Sequence, residues 1–106
     1  MIEALYDRGR YCVTVTGHAH TAEPGHDLVC AAASILMLTL AADVSIAQES
    51  MRRSPVIRLN DGDAEIRCIP RREMGSVVSL MLESVCTGFA LLAKKYPDCV
   101  NYKVVT

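Results

Sequence analysis

The segment from Gly17 to Ser34, GHAHTAEPGHDLVCAAAS, gathers the side chains in this chain best suited to covalent chemistry. Asp27 offers a side-chain oxygen to free backbone N–H groups and so predicts a helix start, with Leu28 as the first helical residue and Cys30 as the third. A thiol there lies at the positive end of the helix dipole, beside N–H groups that have no intrahelical partner. Both effects favour the thiolate, which is the nucleophilic form. The same N–H groups suit the oxyanion that forms when a nucleophile attacks a carbonyl. His18 falls where a strand gives way to a loop, a firm place from which to aim an imidazole. It is suited to take the thiol proton and later return it to a leaving amine. Asp27 serves either as the N-cap or as a group that orients His18. Ser34 lies one helical turn beyond Cys30 on the same face, in reach of the site or of a backbone carbonyl.

The elements that must position these residues follow from the pattern of apolar side chains. Ile2–Tyr6 and Tyr11–Thr16 predict two strands joined at Asp7-Arg8-Gly9-Arg10, with Gly9 free to take positive φ. Gly17–His26 has no apolar period and reads as a loop. A long helix follows from Leu28 to about Glu49, apolar nearly all round until Asp43, and therefore expected at the centre of the molecule. Pro55–Leu59 and Ala64–Ile69 predict a hairpin about the turn Asn60-Asp61-Gly62-Asp63. A second helix is expected from Met74 to Lys95, closed by its basic pair and Pro97, and a last strand over Cys99–Val105. The order β-β-α-β-β-α-β predicts an α+β two-layer sandwich, two long helices on a mostly antiparallel sheet, as one domain over 1–106. Both helices carry more apolar residues than one stripe needs, which points to a homodimer.

Composition narrows the function. The net charge is −1, without the basic excess of a nucleic-acid binder. The pairs Arg52-Arg53, Arg71-Arg72 and Lys94-Lys95 are short and read as solvated surface. The uncharged run Leu28–Ala42 is too short for a membrane span. The five cysteines form no CxxC pair; Cys12, Cys68, Cys86 and Cys99 read as core thiols. No signal peptide is expected, and the cysteine usage suits a reducing cytoplasm. There is no phosphate loop, GxGxxG or HExxH, so no cofactor or catalytic metal is expected. Two other readings of the residues stay open. His18, His20, His26 and Cys30 form H-x-H-x5-H-x3-C, a set that zinc accepts although the spacing is that of no standard finger. Alternatively, Cys30 is an inert core thiol in a non-catalytic binding module.

The motif Gly17-His18-Ala19, followed by Gly25-His26-Asp27-Leu28-Val29-Cys30-Ala31-Ala32-Ala33-Ser34, resembles that of the ribosomal-processing cysteine protease family, Prp. Thr87-Gly88-Phe89 and Tyr96-Pro97 extend the likeness through the second helix. The resemblance implies a homodimeric cysteine endopeptidase with His18 and Cys30 as its reacting pair. It implies as substrate a precursor of bacterial large-subunit ribosomal protein L-twenty-seven, whose N-terminal extension is removed. It also implies a substrate loop in which Gly17, Ala19, Gly25 and His26 take part, with the segment from His20 to His26 as a mobile cover.

Overall fold

The computed structural model describes residues 1–18 and 26–106. Its strands are β1 (Ile2–Asp7), β2 (Cys12–Thr16), β3 (Val56–Asn60), β4 (Asp63–Arg67) and β5 (Val100–Val105), and its helices are α1 (His26–Ile46) and α2 (Gly75–Lys95). The strands form one sheet in the order β3-β4-β2-β1-β5. Three neighbouring pairs are antiparallel; β1 and β5 at the far edge are parallel. The architecture is the expected α+β sandwich, with both helices on one face of the sheet. Side chains on β1 alternate between buried and open, as they do in a sheet covered on one side only.

Ile2, Ala4 and Tyr6 of β1, Val13 and Val15 of β2, and Ala64 and Ile66 of β4 point to the helices and are buried. Against them α1 sets Val29, Ala33, Met37, Leu40, Ala41 and Val44, a stripe of helical period. α2 adds Val78, Leu82, Val85, Cys86 and Phe89. A fully buried side chain such as Phe89 or Leu82 contributes about 1.5–3 kcal/mol. Four cysteines, Cys12, Cys68, Cys86 and Cys99, are buried as expected, while Cys30 is only half-buried.

Four expectations need correction. α1 is not enclosed: Leu28, Ile35, Leu38 and Ile46 stand exposed on its outer side, because one sheet can cover only one stripe of a helix in two layers. α1 begins at His26, so Asp27 lies within the first turn and Cys30 is the fifth helical residue. An acidic residue is as much at home inside the first turn, where the dipole favours it, as at the cap. α1 ends at Ile46 and the chain tightens into a short 3-10 turn at Gln48–Ser50. In the first hairpin the left-handed residue is Tyr11, with φ 49, instead of Gly9. A 3-10 turn over Arg8–Arg10 fills that connection and closes on Tyr11, whose N–H donates to the Arg8 carbonyl at 3.3 Å.

Candidate active site

The β2 strand does not stop at Thr16 as a hydrogen-bonded unit. The Met1 nitrogen donates to the His18 carbonyl at 2.7 Å on the β1 side. On the β4 side the Gly17 N–H donates to the Gly62 carbonyl at 3.0 Å. Both bonds continue the register that pairs Glu3 with Thr16 and Thr16 with Asp63. Gly17 adopts φ +89, and a Cβ there would run into the Met1 carbonyl. Only glycine fits so close an approach at positive φ. The backbone beneath His18 is thus held from two neighbouring strands.

The β3–β4 turn supplies the other wall for the imidazole. Asp61 stands opposite His18 in the continued ladder, its Oδ1 3.9 Å from His18 Nδ1. Asp61 is fully exposed, so this is a contact through water-accessible space whose strength salt would screen. Gly62 follows at φ +73, and a Cβ on it would occupy the place of the His18 ring at Nε2. The turn glycine therefore has two duties: it permits the left-handed conformation and it leaves the seat for the imidazole. Next to it Arg58 on β3 donates to Asp63 and, at 3.0 Å, to Glu65 on β4. Arg58 holds both carboxyl groups below their usual range, and they fix the hairpin on its solvent side.

Cys30 enters from the opposite wall. It sits on α1 between the buried stripe and solvent, one turn before Ala33 and Ser34. His18, Cys30 and Ser34 line the same cleft, of about 270 Å³. Its buried lining is apolar, with Ile2, Val15 and Met37; the exposed Leu38 and Leu59 border it, and the β3–β4 turn forms its rim. A concave apolar space with a few convergent polar groups is the usual form of a substrate site.

The structure therefore brings His18, Cys30, Ser34 and Gly17 to one place, as the sequence predicted. Ala19, His20 and Gly25 lie outside the described residues, as do the side chains of His26 and Asp27, and with them the expected cover, the rest of the zinc set and the orienting role of Asp27. Asp61 and Gly62 are site residues that the sequence pattern marked only as a turn. Their position depends on a ladder between segments far apart in the chain, for which the sequence carries no local signal.

A thiol and an imidazole lining one cleft of an α+β sandwich are the two groups that a thiol hydrolase requires. The family model described as cysteine protease Prp matches residues 1–101, and the chain belongs to that family of cysteine-type peptidases. A solved structure of SMU.848 from Streptococcus mutans is 30% identical, with a TM-score of 0.73 over 100% of this chain and 95% of that one. Two structures of the essential ribosomal processing protease Prp from S. aureus share the fold. One, with a covalently linked product peptide, is 23% identical with a TM-score of 0.74; the other, with a substrate peptide, is 22% identical with a TM-score of 0.73. Each covers 99% of this chain and 100% of its own. A search of curated proteins gave no match.

Proposed function

We propose that this peptidase removes the N-terminal extension of a ribosomal protein precursor, that of large-subunit protein L-twenty-seven, in the cytoplasm, with Cys30 as nucleophile and His18 as general base. The observation that carries the reading is that the one cysteine not buried in the core shares a cleft with an imidazole anchored to two strands. The S. aureus relative of the same fold is a ribosomal processing protease that holds peptides. His18 takes the Cys30 proton, and the sulfur attacks the scissile carbonyl to form a tetrahedral oxyanion. Collapse of that intermediate breaks the C–N bond, and His18 delivers the proton to the leaving amine. Water, deprotonated in turn by His18, then hydrolyses the thioester and restores the thiol. Oxyanion stabilisation falls to backbone N–H groups at the start of α1. Asp61 orients the imidazole through Nδ1 and Ser34 borders the nucleophile.

Incubation with the host's own ribosomal protein precursor, followed by mass analysis, tests the assignment. A single cleavage that frees the N-terminal extension is expected, with Cys30→Ala inactive and His18→Ala slowed by about 10²–10⁴-fold. Cleavage by the Cys30→Ala protein refutes the catalytic assignment, and an intact precursor in the presence of active enzyme refutes the substrate. One zinc held per chain and needed for folding would favour the metal reading instead.

The same reading includes a homodimer. Leu28, Ile35, Leu38 and Ile46 on α1, with Val77, Leu80 and Leu91 on α2, are large, apolar and exposed in the single chain. Both helices are long and apolar enough to cross a membrane by length and composition, but each gives one stripe to the core and leaves the rest for a partner surface. A molecular mass of twice the chain in dilute solution is expected; a stable monomer overturns this part.

A further inference from the structure

At the other end of β2 and β4 lies a second, larger cleft, of about 660 Å³. Arg10, Arg52, Arg53, Arg67, Arg71 and Arg72 line it, and no acidic residue does so among the described residues. Only five of the chain's eleven basic side chains lie elsewhere, against twelve acidic ones. The convergence has a structural cause. Met51 and Pro70 form an isolated antiparallel bridge, with Arg52 N–H donating to the Ile69 carbonyl at 2.7 Å and Arg71 N–H to the Ser50 carbonyl at 2.9 Å. This bridge ties the two connecting segments together, and the Arg52-Arg53 and Arg71-Arg72 pairs leave it in opposite directions, so that they flank it along one cleft. Arg67, at the end of β4, and Arg10, at the end of the first hairpin, complete the ring.

Like charges gathered in this way repel one another unless an anion sits among them. The ion pairs of the described residues employ Arg8 and Arg58, and none of the six. The Nε of Arg67 is buried and meets no hydrogen-bond acceptor among the described residues, an arrangement that is unfavourable by itself. Arg71 Nε donates to the Glu49 carbonyl at 2.7 Å, which fixes its guanidinium and leaves the fork free. Gly75, the first residue of the 21-residue helix α2, also lines the cleft, and its N-cap, Met74, supplies no side-chain oxygen. Tyr11, which takes its left-handed conformation in closing the Arg8–Arg10 turn, stands in the same wall.

We propose that this arginine-lined cleft binds a compact polyphosphate, that is, a small molecule bearing two or more adjacent phosphate groups. Planar guanidinium groups match phosphate oxygens in pairs. The volume is that of a small-molecule site. A nucleic-acid strand would need a basic track that runs on across the surface, but Arg8 is tied to Glu83 and Arg58 to Asp63 and Glu65. The inference is independent of the peptidase substrate and rests on the other end of the molecule.

Titration calorimetry of the full chain with sodium pyrophosphate, ADP and a ten-nucleotide RNA tests it. Pyrophosphate and ADP are expected to saturate one site per chain, and tighter binding of ADP identifies a nucleotide as the source of the phosphates, equal binding a free phosphate chain. Arg53→Gln with Arg72→Gln, both at exposed positions, weakens this binding by at least about tenfold. Lys94→Gln with Lys95→Gln leaves it within about twofold, since screened charges at a distance contribute little. Should the glutamine pair fail to fold, Arg53→Lys with Arg72→Lys is used and a loss of at least about threefold is expected from the missing fork geometry. Failure of pyrophosphate and ADP to bind, equal loss in the lysine control, or RNA binding tighter than either overturns the proposal.

Discussion

The two clefts lie at opposite ends of the paired strands β2 and β4 and differ in almost every other respect. The smaller one, at the Thr16–Asp63 end, sets an apolar wall of Ile2, Val15 and Met37 against a polar rim of Asn60, Asp61 and Asp63, with His18 on a doubly bonded extension of β2 and Cys30 on a helix. The larger one, at the Cys12–Arg67 end, is dominated by six long cations, most of them exposed and brought together by one bridge between two connecting segments. The first sets a thiol and an imidazole on well-held backbone; the second gathers charge. Covalent chemistry tolerates little misplacement, whereas a charge cluster needs only that its members share a small volume.

Substitutions can separate the two ends. Cys30→Ala is expected to lower peptide cleavage by at least about 10⁴-fold, as loss of a nucleophile does. It should bind pyrophosphate as tightly as the parent chain does; weakened binding would show that the clefts are coupled. Gly62→Ala comes next. The new methyl group competes with the imidazole for its seat at a left-handed position, and a displacement of about 1 Å costs on the order of 10² in kcat. Precursor cleavage with the melting temperature measured in parallel tests this, and unchanged kcat in a folded protein would mean that the ring does not sit there during turnover.

Alkaline pH stresses the arginine end. Burial pushes the Cys12 and Cys68 thiols up to about 11, with Glu65 a second cause at Cys12. In the unfolded chain a thiol ionises near about 8.5. The folded chain therefore holds those protons more tightly, and the stability they give is complete below that pH and declines as pH rises through about 11. The melting temperature should fall over this window, and Cys12→Ala with Cys68→Ala should flatten the fall even if it lowers the starting value. The smallest effect belongs to Asp61→Asn. An exposed contact at 3.9 Å is worth little, so kcat should drop by about fivefold or less, and the drop should shrink in high salt.

Much of this molecule was legible in the sequence where the determinants are local. Alternation in Ile2–Tyr6, the β-branched run Tyr11–Thr16, the turn Asn60–Asp63 and the basic end of α2 placed the elements to within a few residues, and Gly17-His18 with Cys30 pointed to the cleft that they line. Long-range geometry was not legible. The parallel β1–β5 pair depends on where a crossover returns, and the outer face of α1 depends on how many layers cover it. The clearest case is Arg52-Arg53 and Arg71-Arg72. Each pair alone reads as solvated surface, and only the Met51–Pro70 bridge turns them into one feature. Asp61 and Gly62 belong with them, since a turn's sequence says nothing about which side chain will lean against it.

The Gly17 amide, locked to the Gly62 carbonyl, gives the enzyme a built-in fuse. If the end of the sheet frays, that hydrogen exchanges with solvent and the imidazole loses its footing while the core around Phe89 stays closed. Warming should then silence turnover some degrees before the chain melts, in step with deuterium uptake at this single position.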